Sequence, residues 1–92
     1  MPKYYDFKVA GYYLYFTSHC IVECMHVHAS DGSLTESGSA KFFVKENGDA
    51  LLEERGILKD REINKIAKFI KVNYKEMYLK WSSYSDNGYY KD

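Results

Sequence analysis

Near Asp60 the spacing of apolar residues changes from every second position to every three or four, and that switch within 92 residues narrows the fold more than any short motif does. After it, Ile63, Ile66, Ala67 and Ile70 recur at helical spacing, and Tyr74, Met77, Tyr78 and Trp81 continue the stripe, with room for a break at Asn73. Gly56 and the run Lys59-Asp60-Arg61-Glu62 mark the start, where Asp60 is placed to cap and the acidic groups suit the positive end of a helix. Strands followed by an amphipathic helix predict an α+β domain. The expected form is a small antiparallel sheet of three or four strands, covered on one face by one long or two short C-terminal helices.

The strands are legible upstream of that switch. Tyr12 to Thr17 alternates, with Tyr12, Leu14 and Phe16 on one face and Tyr13, Tyr15 and Thr17 on the other, and Gly11 marks the bend into it. Residues 18–24 connect to a second strand at about 25–30, and residues 30–39 form a loop rich in turn formers. Ala40 to Lys45 is a third strand, with Ala40, Phe42 and Val44 opposite Lys41, Phe43 and Lys45. Asn47-Gly48 tolerates the positive φ angles of a tight hairpin, after which Asp49 to Leu52 returns as a short strand or opens the next turn. An antiparallel meander is the most economical arrangement.

A chain of this length hides only about 60 to 65% of its extended surface, so residues 1–81 are read as one domain with a core one layer thick. Residues 82–92 are a polar tail expected to fray despite Tyr84, Tyr89 and Tyr90. Ten tyrosines and five phenylalanines put rings where leucine usually fills space. Tyrosine suits surfaces that meet both core and partner, so a tyrosine-rich, undersized core points to contact surface and to a homodimer.

The run Glu23-Cys24-Met25-His26-Val27-His28 carries the chemistry. Alternation along a strand sends His26 and His28 to one side and Met25, Val27 and Ala29 to the other, which leaves two imidazoles about 7 Å apart on an open sheet face. Three uses follow. As a binding face, His26 and His28 act with Glu23, Tyr13, Tyr15 and Phe43. As an acid–base pair they cleave a phosphodiester, with Lys41 stabilising phosphoryl charge and Tyr13 or Tyr15 stacking a base. As metal ligands they need His19 and Glu23, or Cys20 and Cys24, to complete the set, and the cysteine spacings match no common zinc knuckle.

Taken in order, Gly-Tyr-Tyr-Leu-Tyr-Phe at 11–16, the histidine run at 23–28, Ala-Lys-Phe-Phe-Val at 40–44 and a helix closing on Trp81 resemble the bacterial family called domain of unknown function 4160. That family pairs an aromatic strand with a Glu-Pro-Pro-His-Val-His or Glu-Pro-Met-His-Val-His segment, an Ala-Lys-Phe-Trp strand and a helical half ending in tryptophan. This chain departs in having Cys24 in place of proline, Phe43 in place of the common tryptophan, and Ser33 to Ser39 inserted after the histidines. Losing the proline frees a φ angle beside the imidazoles. The resemblance implies a fold, a cytoplasmic compartment and a place in a toxin–antitoxin gene pair, but no mechanism.

Charge excludes other classes. Thirteen basic and thirteen acidic residues cancel, so total charge argues for neither nucleic acid nor membrane, and a protein partner is expected ahead of RNA. The distribution is bipolar. Glu46, Asp49, Glu53 and Glu54 cluster in one stretch, whereas Lys65, Lys68, Lys71, Lys75 and Lys80 meet only Glu76, and Lys68, Lys71 and Lys75 line one helix face as a candidate basic patch. No apolar run approaches the roughly 20 residues of a membrane span. The start Met-Pro-Lys-Tyr-Tyr-Asp has no signal-peptide core, and two cysteines without Cys-x-x-Cys spacing suit a reducing cytoplasm. There is neither a phosphate-binding glycine loop followed by Lys-Ser or Lys-Thr nor a Gly-x-Ser-x-Gly elbow, and no cofactor is expected. The leading expectation is a binding or regulatory protein, its rivals a ribonuclease-like toxin and a small metal-binding domain.

Overall fold

The computed structural model describes residues 3–16, 25–31 and 38–83. Within them lie β1 (Tyr13–Tyr15), β2 (His26–Ser30), β3 (Ala40–Val44), β4 (Ala50–Glu54) and α1 (Asp60–Ser82). The strands form one antiparallel sheet in the order β1-β2-β3-β4, the expected meander, followed by a single C-terminal helix. The first strand is shorter than its pattern suggested. Tyr12 pairs back with Val9 around Ala10 and Gly11, both at positive φ, so the chain turns tightly before it enters the sheet.

Cross-strand register sorts the side chains. Leu14 stands opposite Ala29, Ala29 opposite Ala40 and Val27 opposite Phe42, giving an apolar inner face that Val44 extends. Against it α1 lays Ile63, Ile66, Ile70, Met77 and Trp81, the stripe that helical spacing predicted. Asn73 does not break the helix, because its amide donates to the carbonyl of Phe69 one turn back (2.9 Å) and the backbone ladder continues past it. The N-cap is Lys59, not Asp60. Lys59 is extended and its N–H is accepted by Glu62 (2.8 Å), while Asp60 is already helical and pairs with Arg55 (2.7 Å) on the surface.

The β3–β4 hairpin is closed as the Asn47-Gly48 pair requires. Gly48 N–H donates to Lys45 O (2.8 Å), Lys45 N–H donates to Asp49 O (2.9 Å), and Gly48 has φ +91°. Gly48 also lies against α1, where an added Cβ would fall 2.5 Å from a ring carbon of Tyr74. Lys71 then bolts the hairpin to the helix, donating to Asn47 O (2.8 Å) and Asp49 Oδ1 (2.9 Å). At the other end of the sheet Tyr4 N–H donates to Leu14 O (2.8 Å), and the Lys80 ammonium donates to the Tyr4 carbonyl, so the N-terminal segment is held by both sheet and helix.

The helix runs through Ser82 and is capped at Ser83, two residues past the expected domain limit. Residues 84–92 of the expected tail, Thr17 of the expected first strand, the 18–24 connection and residues 32–37 of the 30–39 loop lie outside the described residues. Trp81 is fully buried, and Trp81→Ala is expected to cost about 3–5 kcal/mol in urea unfolding. Gly48→Ala meets both a left-handed φ and the Tyr74 ring, and is expected to cost about 1–3 kcal/mol in the same measurement.

Candidate functional site

The face of the sheet away from α1 holds the histidines. Tyr15 pairs across to His28 and His28 to Lys41, while His26 pairs to Phe43, so alternation places Tyr13, Tyr15, His26, His28, Lys41 and Phe43 together on that face. Lys41 therefore lies directly beside His28.

The face is not open. His26 is 2% exposed and His28 5%, whereas an imidazole pair on a free sheet surface would be wet. The reason is aromatic packing. The two rings meet edge to face at 5.1 Å, Tyr15 stacks on His28 at 5.3 Å, and Phe43 meets His26 edge-on at 5.7 Å. Below the rings, the Tyr15 hydroxyl and Ser39 Oγ share a buried hydrogen bond (2.9 Å), and Tyr4 OH donates to the His26 carbonyl (2.9 Å). All of β2 is buried, its histidine side as fully as its valine side.

Electrostatics follow from that dryness. Burial first, then the neighbouring His26 and Lys41, lower the His28 pKa from 6.5 to about 4. His28 is neutral at pH 7. A phosphodiester-cleaving pair exchanges protons near neutrality, and burial moves His28 away from that range.

Around the buried pair runs a wetter rim. Tyr13, Lys41 and Phe43 are half-buried. The Lys3 and Lys8 ammonium groups sit 4.6 and 5.2 Å from the Tyr13 ring centre, and that of Lys41 lies 5.0 Å from Phe43. Lys3 and Lys8 were invisible as site residues in the sequence, since nothing local says that the N-terminal segment returns alongside β1. The Tyr4-Tyr5 pair was the available signal, because two adjacent rings so near the start need a core to enter.

The remaining candidates separate. His19, Glu23, Cys20 and Cys24 lie outside the described residues, and among the described residues no three His, Cys, Asp or Glu side chains gather as a metal group. The helical lysines do not form one free patch. Lys71 is bonded to the hairpin, Lys75 lies 5.9 Å from the Tyr74 ring centre, and Lys68 lines a cleft of about 590 Å³ between α1 and β4. Hydrogen bonds from Lys71 and Asn47 hold the Asp49 carboxyl below its usual pKa. None of the helices among the described residues is long and apolar enough to cross a membrane.

A four-stranded antiparallel meander under one helix, with a dry imidazole pair on its far face, defines a small α+β domain of a particular kind. The chain belongs to the family described as Domain of unknown function (DUF4160), whose model matches residues 11–82, from the turn before β1 to the end of α1. No curated protein and no solved structure matches it.

The neutral state of His28 has a consequence for stability. Below its unfolded pKa of 6.5 the unfolded chain takes up a proton that the native state refuses, so stability is full above pH 6.5 and falls as pH drops toward about 4. The loss across that window is on the order of 2–3 kcal/mol. Asp49 weakens the fold only in a more acidic range, as its carboxylate is protonated. Thermal melts of wild type and His28→Gln from pH 7 to 4.5 check this, with the variant expected to show the flatter profile.

Proposed function

We propose that this chain is a binding or regulatory protein of the cytoplasm, one member of a toxin–antitoxin pair, that engages a protein partner through the rim formed by Tyr13, Lys41 and Phe43 with Lys3 and Lys8. The observation that carries the reading is the burial of both imidazoles among rings, with His28 neutral down to about pH 4. Histidines so placed shape and stiffen the surface above them. His28 stays neutral at pH 7, and recognition is left to the half-exposed rings and ammonium groups at the edge.

One observation favours a second reading. Lysines set against Tyr13 and Phe43 are also what a single-stranded RNA uses for backbone attraction and base stacking, so RNA is the rival ligand and a ribonuclease-like toxin the rival function. Total charge near zero favours protein over RNA. Capture from a native lysate, with protein, RNA and metal identified together, separates them. The variant Lys3→Ser/Lys8→Ser/Lys41→Ser is expected to lose a stoichiometric protein partner at least about tenfold while melting as wild type does. RNA recovered in place of protein, or RNA cleavage at pH 7 that His28→Gln abolishes without unfolding the chain, would sink the binding reading.

A further inference from the structure

The two edges of the sheet are unlike. Beyond β1 lies the N-terminal segment, with Lys3 bridged antiparallel to Tyr15 and Tyr4 bonded to Leu14. Beyond β4 there is no strand among the described residues. An outer antiparallel strand turns every second N–H and C=O away from its neighbour, so β4 carries a row of pairing groups on its free side. Its middle is apolar and open: Leu51 is 43% exposed and Leu52 37%, on opposite faces.

Charge along this edge is split. At the Ala50 end, Lys45 and Lys68 border the cleft between β4 and α1. At the other end stand Glu53 and Glu54, where the register slips by one residue against Lys41 and Phe42 and leaves Glu53 as the extra residue of a bulge. Nearby charges are already matched, Lys71 with Asp49 and Arg55 with Asp60. Lys45, Lys68, Glu53 and Glu54 have no ion-pair partner among the described residues.

We propose that β4 is a self-pairing edge, through which two copies of the chain join their sheets antiparallel about a two-fold axis at Leu52. That axis sets Glu54 of each copy opposite Ala50 of the other and Glu53 opposite Leu51, which brings both carboxylates to the partner's Lys45 and Lys68. A two-fold contact satisfies both charged ends at once, because the same patch serves on each side. An acidic peptide from another protein would match the lysines alone and leave Glu53 and Glu54 unanswered. The bulge and the carboxylates also repel an arbitrary strand, so the edge is selective for itself. This surface lies across the sheet from Tyr13, and its test is independent of the binding role proposed for that rim.

The test is a charge exchange on the full chain, read by sedimentation equilibrium. Wild type is expected to dimerise at concentrations up to about 100 µM, more weakly as salt rises. Glu53→Lys/Glu54→Lys and Lys45→Glu/Lys68→Glu are each expected to be monomeric, and their equimolar mixture to recover the dimer, since each then presents what the other lacks. The milder Glu53→Gln/Glu54→Gln is expected to raise the dissociation constant about tenfold with an unchanged melt, which keeps the test sound if a charge reversal perturbs folding. A monomeric wild type overturns the proposal. So does either reversal alone remaining dimeric, or a mixture that fails to associate.

Discussion

Because β2 is covered on both faces, its two histidines are part of the packing, and most of what distinguishes this domain follows from that. On the inner side Val27 and Ala29 lie under the isoleucines, Met77 and Trp81 of α1. On the outer side His26 and His28 are enclosed by each other, Tyr15 and Phe43. A protein interior penalises charge far more than it penalises a neutral imidazole with partners, so burial selects the uncharged ring. The same enclosure that makes the pair look like a site keeps the His28 ring uncharged at pH 7.

In the binding role proposed for this chain, recognition falls to what is left exposed. Tyr13 and Phe43 keep part of their rings at the surface, with lysines drawn from the N-terminal segment and from β3. Tyrosine and lysine both have apolar bodies and polar tips, and so they suit a boundary between a packed layer and a partner. The bipolar charge of the sequence is resolved in a comparable way. One lysine of the helix, Lys71, bolts α1 to Asp49 at the surface, while Lys45 and Lys68 remain along the open edge with Glu53 and Glu54 at its far end.

The contrast between the two halves of the chain shows how far local pattern reaches. Alternation at 40–44, the Asn47-Gly48 turn and the stripe from Ile63 to Trp81 were each legible because strand, hairpin and helix are decided over a few neighbouring residues. The N-cap falls at Lys59, one residue before Asp60, because Glu62 reaches back from the first turn to the Lys59 N–H, and only backbone conformation shows which residue opens the helix. The joint placement of Lys41 with His28, and of Lys3 and Lys8 with Tyr13, depended on strand register and on the return of the N-terminal segment, which no short window contains.

An antiparallel meander of three or four strands followed by a helix, the identity of the inner face and the shared side of the two histidines were written in the residues themselves, because period and turn chemistry are local properties of a chain, while the fourth strand was settled by the structure. Whether those histidines met water, which lysines stayed free and which sheet edge stayed open were decided only by the tertiary structure. Burial, pKa and edge exposure are set by which segments come to lie beside one another, and that is a property of the packed whole.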